Sequence, residues 1–215
     1  RYLDMGDGDV HLFFSWPWLR HHAHADTAEA TPTPEVPPAP DPGEGPVIWI
    51  HAVSVGETRA AAPLLALLRR DHPGASILLT HMTPTGRVTG RELFGDHVTQ
   101  AWLPWDYRFA VRRFLARTRP AFGVLLETEI WPNLLAECRA SGVPVFLVNA
   151  RLSARSAAGY ARVGRLAREA LGHLAGVAAQ TAEDAARLAT LGATDVAVTG
   201  NIKFDLAVPD AIDAQ

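Results

Sequence analysis

The residues able to do chemistry in this chain stand in short polar groups, each directly behind an apolar run. Ser54, Gly56 and Glu57 belong to SVGE (54–57), which follows VIWIHAV at 47–53. A carboxylate at the start of a helix gains from the helix dipole and from free amides, so Glu57 reads first as a cap and, alternatively, as a proton acceptor. Thr83 and Thr85 flank Pro84 in THMTPTG (80–86). Their hydroxyls, with Gly86, could meet an oxygen-rich ligand or simply build the first turn of a helix. Glu127 and Glu129 in ETEIWPN (127–133) alternate at a strand exit. They are therefore expected on opposite sides and not as a close dyad, and one of them could cap the helix that Trp131-Pro132 opens. Arg151 and Arg155, in and just after NARLS (149–153), and Lys203 in TGNIKFD (199–205) could hold phosphate or carboxylate groups.

Several familiar chemistries are missing. Neither SVGE nor THMTPTG has the glycine spacing of a dinucleotide fingerprint or the Gly-Lys ending of a phosphate loop, and no G-x-S-x-G nucleophile elbow occurs. HHAH (21–24) could ligate a metal, but it lies in an acidic stretch without a cysteine or carboxylate at suitable spacing and reads as a solvated segment. No metal and no cofactor is expected. The single cysteine, Cys138, excludes an internal disulfide and reads as packing. Arginine supplies almost all the basic charge, Lys203 being the only lysine, and this usage carries no expectation of nucleic-acid binding.

The elements that must position these groups alternate along the chain. Apolar, β-rich runs fall at 47–53, 76–80, 98–103, 121–126, 144–149, 176–180 and 195–199, and helical stretches lie between them at about 58–71, 84–94, 107–118, 131–141, 155–174 and 182–191. Thr181 can cap, Glu183 and Asp184 suit a first turn, and Gly74, Gly142 and Gly192 follow helix ends. Strands apolar almost throughout, joined through helices, imply a parallel sheet covered on both faces because right-handed crossovers put the helices there. The expected fold is thus a Rossmann-like α/β domain. All its strands end at one edge, where open α/β sheets bind ligands, and every polar group named above follows a strand. Loops entering strands, such as HPGA (72–75), are plain turn chemistry.

Outside that domain, residues 1–46 form an acidic leader that ends in the proline-rich stretch TPTPEVPPAPDPGEGP (31–46). The leader holds two arginines against eight carboxylates, about −6, which leaves about +3 on the remainder of a chain whose total is −3. That excess suits an anionic ligand or a membrane surface. No run of about 20 apolar residues is present to span a bilayer. Phe13, Phe14, Trp16 and Trp18 within VHLFFSWPWL (10–19) could sit in a membrane interface or pack on the domain. The folded region is expected over 47–206, with 207–215 starting a linker to a further domain.

Taken in order, WIHAVSVGETRAA, THMTPTGR, LPWD, ETEIWPNLL, NARLSARSAAGYAR, AAQTAEDAARLATLGA and VTGNIKFDL resemble the N-terminal domain of 3-deoxy-D-manno-octulosonic acid (Kdo) transferases, from about Val47 to Leu206. The resemblance implies the N-terminal half of a GT-B glycosyltransferase, which transfers Kdo with inversion and without a metal ion from CMP-Kdo to a lipid A precursor in lipopolysaccharide assembly. It implies Glu57 as catalytic base, with Ser54, Gly56, Thr83, Thr85, Glu127, Glu129, Arg151 and Lys203 on the acceptor side, and Glu127 ahead of Glu129 in that role. The partners implied are the lipid A precursor, CMP-Kdo held mainly by a C-terminal domain, and a membrane surface at the cytoplasmic face of the bacterial inner membrane. Two features depart from the family pattern: the acidic leader stands where a hydrophobic anchor is usual, and His81 stands where threonine is more usual. The chain by itself is expected to bind acceptor without turning over. Two other readings stay open, a non-catalytic anionic-ligand-binding α/β module and another GT-B-like sugar-nucleotide enzyme such as an epimerase.

Overall fold

Seven short strands of mostly apolar residues alternate with helices, as the hydrophobic pattern requires. The computed structural model describes residues 45–202. The leader with its aromatic run and HHAH, Lys203, and the stretch 207–215 lie outside the described residues.

The strands are β1 (Val47–His51), β2 (Ser76–His81), β3 (Thr99–Trp102), β4 (Pro120–Leu126), β5 (Val145–Ala150), β6 (Gly176–Ala179) and β7 (Val196–Val198). The helices are α1 (Val55–Asp71), α2 (Pro84–Phe94), α3 (Arg108–Thr118), α4 (Pro132–Ala140), α5 (Ala154–Arg162), α6 (Gly164–Gly172) and α7 (Ala182–Leu191). All strands run parallel in the order β3-β2-β1-β4-β5-β6-β7. The connection changes direction between β1 and β4, and the strand C-termini there border the crevice in which such sheets bind ligands.

Each face of the sheet has its own core. On one, Ile48, Ile50, Leu79, Val124 and Leu126 pack with Ala61 and Leu65 of α1. On the other, Trp49, Leu78, Leu125 and Leu147 pack with buried residues of α3 through α7. Trp49 is fully buried, meets Phe114 edge-to-face at 5.3 Å and donates its indole N–H to Thr80 Oγ1 at 2.8 Å. Its ring is accommodated by Gly123 on the neighbouring strand, where a Cβ would come within 2.5 Å of Trp49 Cε3.

Two elements differ from the sequence expectation. The first helix starts at Val55 and not near 58, so SVGE is its capping turn. The stretch expected as one helix over 155–174 is two, broken at Val163-Gly164. A β-branched residue followed by glycine is a weak place in a helix.

Candidate active site

Ser54 is the N-cap of α1, and its backbone is extended, as a cap requires. The hydroxyl accepts from the Glu57 N–H at 3.4 Å and donates to Glu57 Oε1 at 2.8 Å, while Val53 N–H donates to Oε2 at 2.7 Å. This is a capping box shifted by one residue. The two readings of Glu57 from the sequence therefore describe one group, which closes the helix end and is held by both oxygens at the crevice. Glu57 is buried, with 8% of its surface exposed. Each carboxylate oxygen has two lone pairs, so these donors do not exhaust its capacity.

The loop after β2 fixes the turn that carries Glu57. Thr83 caps α2, its Oγ1 accepting from Gly86 N–H at 3.1 Å and donating to Val53 O at 2.7 Å. Gly86 lets this approach happen, since a Cβ there would stand 2.8 Å from Val53 O. His81 Nδ1–H donates to Ala52 O at 2.9 Å. Thr58 Oγ1 donates to Ser54 O at 2.8 Å, so three successive carbonyls of the turn are tied. Thr83 thus serves the turn; Thr85 and Gly56 are exposed beside it.

Two histidines under this floor are neutral. Burial first, then the neighbouring His81, pushes the fully buried His51 down to about 3, against a hydrogen bond with Thr80 that works the other way. Its Nδ1–H points at Thr80 O and Oγ1, and its Nε2 is buried without a hydrogen-bond partner, so a proton there would be unpaired. Burial likewise pushes His81 down to about 4, although its bonds to Ala52 and Gln100 oppose the shift. With its proton on Nδ1, His81 offers Nε2 as an acceptor, and the Gln100 amide 3.2 Å away must turn its nitrogen toward it.

Across the crevice, strand alternation ends at Leu126. Glu127 adopts a left-handed backbone at φ 60°, uncommon for a residue with a Cβ and characteristic of functional turns. The expected opposition of Glu127 and Glu129 therefore does not hold as strand geometry. The structure instead brings the charges together: burial, then the Glu57 carboxylate, pushes Glu129 up to about 8, with Glu127 adding to the rise and the Trp131 indole N–H opposing it. That indole donates to Glu129 Oε2 at 2.9 Å. These effects shift Glu129 toward its protonated form. The Tyr160 hydroxyl of α5 is raised by burial and by the Glu129 carboxyl, which puts it at the same spot. The backbone of Arg151 is joined to Thr128 in both directions, Thr128 Oγ1 donating to Arg151 O and accepting from its N–H, while the Arg151 side chain is exposed.

Some participants were not singled out from the sequence. Asp106, in the loop before α3, caps α4 from outside that helix: it accepts from Asn133 N–H at 3.1 Å and Leu134 N–H at 2.7 Å. Burial raises its carboxyl despite these bonds. Its motif was visible as LPWD, but no local signal pairs it with Asn133, 27 residues later. Buried Asn149, left-handed at φ 57°, accepts from Ile202 N–H through Oδ1 at 3.2 Å. A cavity of about 530 Å³ lined by Arg112, Arg119, Pro120, Glu137 and Val143 lies at the opposite end of the sheet and has no part in this site. Among the described residues, no helix is long and apolar enough to cross a membrane.

A seven-stranded parallel sheet with this switch point, and with Glu57 and Glu129 near its strand C-termini, defines a Rossmann-like α/β domain. Solved structures with the same fold include a UDP-N-acetylglucosamine 2-epimerase of Neisseria meningitidis bound to UDP-GlcNAc (TM-score 0.52, 13% identity, covering 74% of this chain and 47% of that one). A putative enzyme of the same name from Listeria monocytogenes matches with TM-score 0.54 at 12% identity over 73% of this chain and 46% of that one. At such identities the likeness concerns fold alone. The chain belongs to the 3-deoxy-D-manno-octulosonic-acid transferase (kdotransferase) family, whose N-terminal glycosyltransferase model matches residues 24–206. It is 54% identical over 179 residues to the 3-deoxy-D-manno-octulosonic acid transferase of Bordetella pertussis, covering 80% of this chain and 41% of that protein. The corresponding transferase of Haemophilus influenzae is 40% identical over 167 residues, covering 77% and 39%. The chain thus spans about two-fifths of the length of these relatives.

Proposed function

We propose that this chain is the acceptor-binding part of an enzyme that moves Kdo from CMP-Kdo to a lipid A precursor at the cytoplasmic face of the inner membrane, with Glu57 as general base. The observation that supports the base assignment is Glu57 at the C-terminal edge of the sheet beside the switch point, oriented by Ser54 and Val53 and near enough to Glu129 to raise that carboxyl. In this reaction an acceptor hydroxyl forms a new bond to the anomeric carbon as the bond from that carbon to phosphate breaks. CMP leaves with the electron pair, and Glu57 takes the hydroxyl proton. A protonated Glu129 can donate a hydrogen bond to the acceptor, and its neutrality spares Glu57 a second negative neighbour. Glu127, Arg151 and Lys203 bind acceptor groups, the basic pair suiting its phosphates. Domain boundaries at 47 and 206, with the donor held by a further α/β domain, complete this reading. The epimerase alternative rests on fold likeness only.

In the full-length enzyme, Glu57→Gln should lower Kdo transfer by about 10²–10⁴-fold, the usual contribution of a general base, with the melting temperature and acceptor affinity little changed. Glutamine keeps the shape and can still accept from Val53 N–H. Near-wild-type turnover in that variant rules the role out.

A further inference from the structure

Aromatic side chains are seldom left in the open unless something covers them, and three lie within five residues beside this site. In the loop entering α3, Trp105 is 40% exposed and Tyr107 57%, and Phe109 in the first turn of the helix is 75% exposed. Tyr107 and Phe109 stack at 5.9 Å with their planes 15° apart, so they form one apolar plate. The helix behind them, RFAVRRFLART, bears Arg108, Arg112, Arg113 and Arg117 and no carboxylate. Its inner side, Val111, Phe114 and Leu115, is buried in the core, so the arginines and Phe109 occupy the outer side. Arg108 and Arg112 share the buried Glu137 of α4, which neutralises one charge and leaves the face positive.

We propose that the loop around Trp105, Tyr107 and Phe109, together with the outer face of α3, docks on an anionic lipid bilayer. Aromatic rings favour the membrane interface, and arginines on an amphipathic helix are drawn to anionic headgroups. The helix beside the aromatics offers four arginines and no carboxylate of its own, a charge that an anionic headgroup layer complements. The surface also stands in the right place. Asp106, between the aromatics, holds the N-terminus of α4, so the plate is fastened to the same loop that carries Glu127 and Glu129. A lipid acceptor could keep its acyl chains in the bilayer under the plate while its sugar reaches the crevice. Only this placement argument rests on the proposed function; the docking itself does not.

The test is sedimentation of the 215-residue chain with vesicles of phosphatidylglycerol and phosphatidylcholine in equal parts, and with phosphatidylcholine alone. The chain should partition onto the anionic vesicles, and added salt should weaken the binding. Tyr107→Ser with Phe109→Ser should reduce partitioning about tenfold through the apolar area lost. Arg113→Gln with Arg117→Gln should reduce it about 25-fold on anionic vesicles, about fivefold per arginine, with no effect on neutral ones. Circular dichroism and melting of each variant establish that it folds, and if a double variant does not, Phe109→Ser and Arg117→Gln alone carry the comparison. A parent chain that stays in the supernatant overturns the proposal, as do folded variants that sediment as the parent does; the latter result would assign binding to another part of the chain. Assay of the full-length enzyme separates the two ideas. Loss of transfer to vesicle-embedded acceptor with transfer to detergent-dispersed acceptor retained supports the surface, and vesicle binding without any Kdo transfer would sink the enzymatic reading alone.

Discussion

Stability of the folded domain should peak near pH 6.5 and fall on both sides, because three groups under the crevice titrate far from their open-chain values. His51 and His81 are held at about 3 and about 4 against an ordinary 6.5. As the pH drops below 6.5 the unfolded chain takes up a proton at each ring that the folded chain refuses, so both histidines remove stability. Glu129 works the other way. Its folded value of about 8 lies above the ordinary 4.5, so the folded state keeps a proton the unfolded state has lost, and that contribution fades as pH rises toward 8. Between about pH 5 and 6.5 two histidines oppose one glutamate; the net slope grows from zero at 6.5 to about one proton at pH 5, a loss on the order of 1 kcal/mol across the window. Between 6.5 and about pH 8 Glu129 dominates, offset in part as the unfolded-state histidines finish losing their protons, and the net loss on the alkaline side is on the order of 1 kcal/mol. Asp106, raised by burial, acts with one sign toward the acid end. Glu137 acts with the other: burial would raise it, but Arg112 and Arg108 outweigh burial and lower it. Urea unfolding midpoints at three pH values would trace the curve. Glu129→Gln should abolish the alkaline fall and double the acid slope, and His51→Gln should leave the acid side nearly flat. A midpoint rising steadily from pH 5 to pH 8, or a Glu129→Gln chain that still loses stability above 6.5, would refute the assignment of these protons.

Two further substitutions test the scaffold. Gly123→Ala forces a methyl to within 2.5 Å of the Trp49 ring and should cost about 1–3 kcal/mol in thermal unfolding, the usual range for overpacking; a change under about 0.5 kcal/mol would mean the ring has room to move. Asp106→Ala strips two amides of α4 of their acceptor and should cost about 0.5–2 kcal/mol, with Asp106→Asn recovering part of it, and equal losses in both variants would argue against the capping role.

Much of this architecture is written in local pattern. Runs such as VIWIH and SILLTH are buried on both faces, and such runs separated by helix-length segments leave a covered parallel sheet as the consistent solution. Two helix starts were legible for the same reason: Thr181, read as a cap, and Thr83, read as part of a first turn, each accept from the amide three residues on, a contact encoded within one turn. The break at Val163-Gly164 was less legible, because the residues on either side remain helix-compatible and a Val-Gly step weakens a helix without having to end it.

Sequence by itself determined the alternation of strands and helices, the single rim that gathers the polar groups, and the presence of Glu57 in a capping turn, since each depends on residues within about a turn of one another. Only the tertiary structure decided what those polar groups do to one another. Glu129 is pushed toward its protonated form because burial and Glu57, distant in the chain, reach it together; His51 and His81 are held toward neutrality because burial disfavours their charge; Asp106 caps a helix from the far side of α3 and β4. Desolvation and charge coupling act through space, and no spacing along a chain reports which side chains will share a low-dielectric floor.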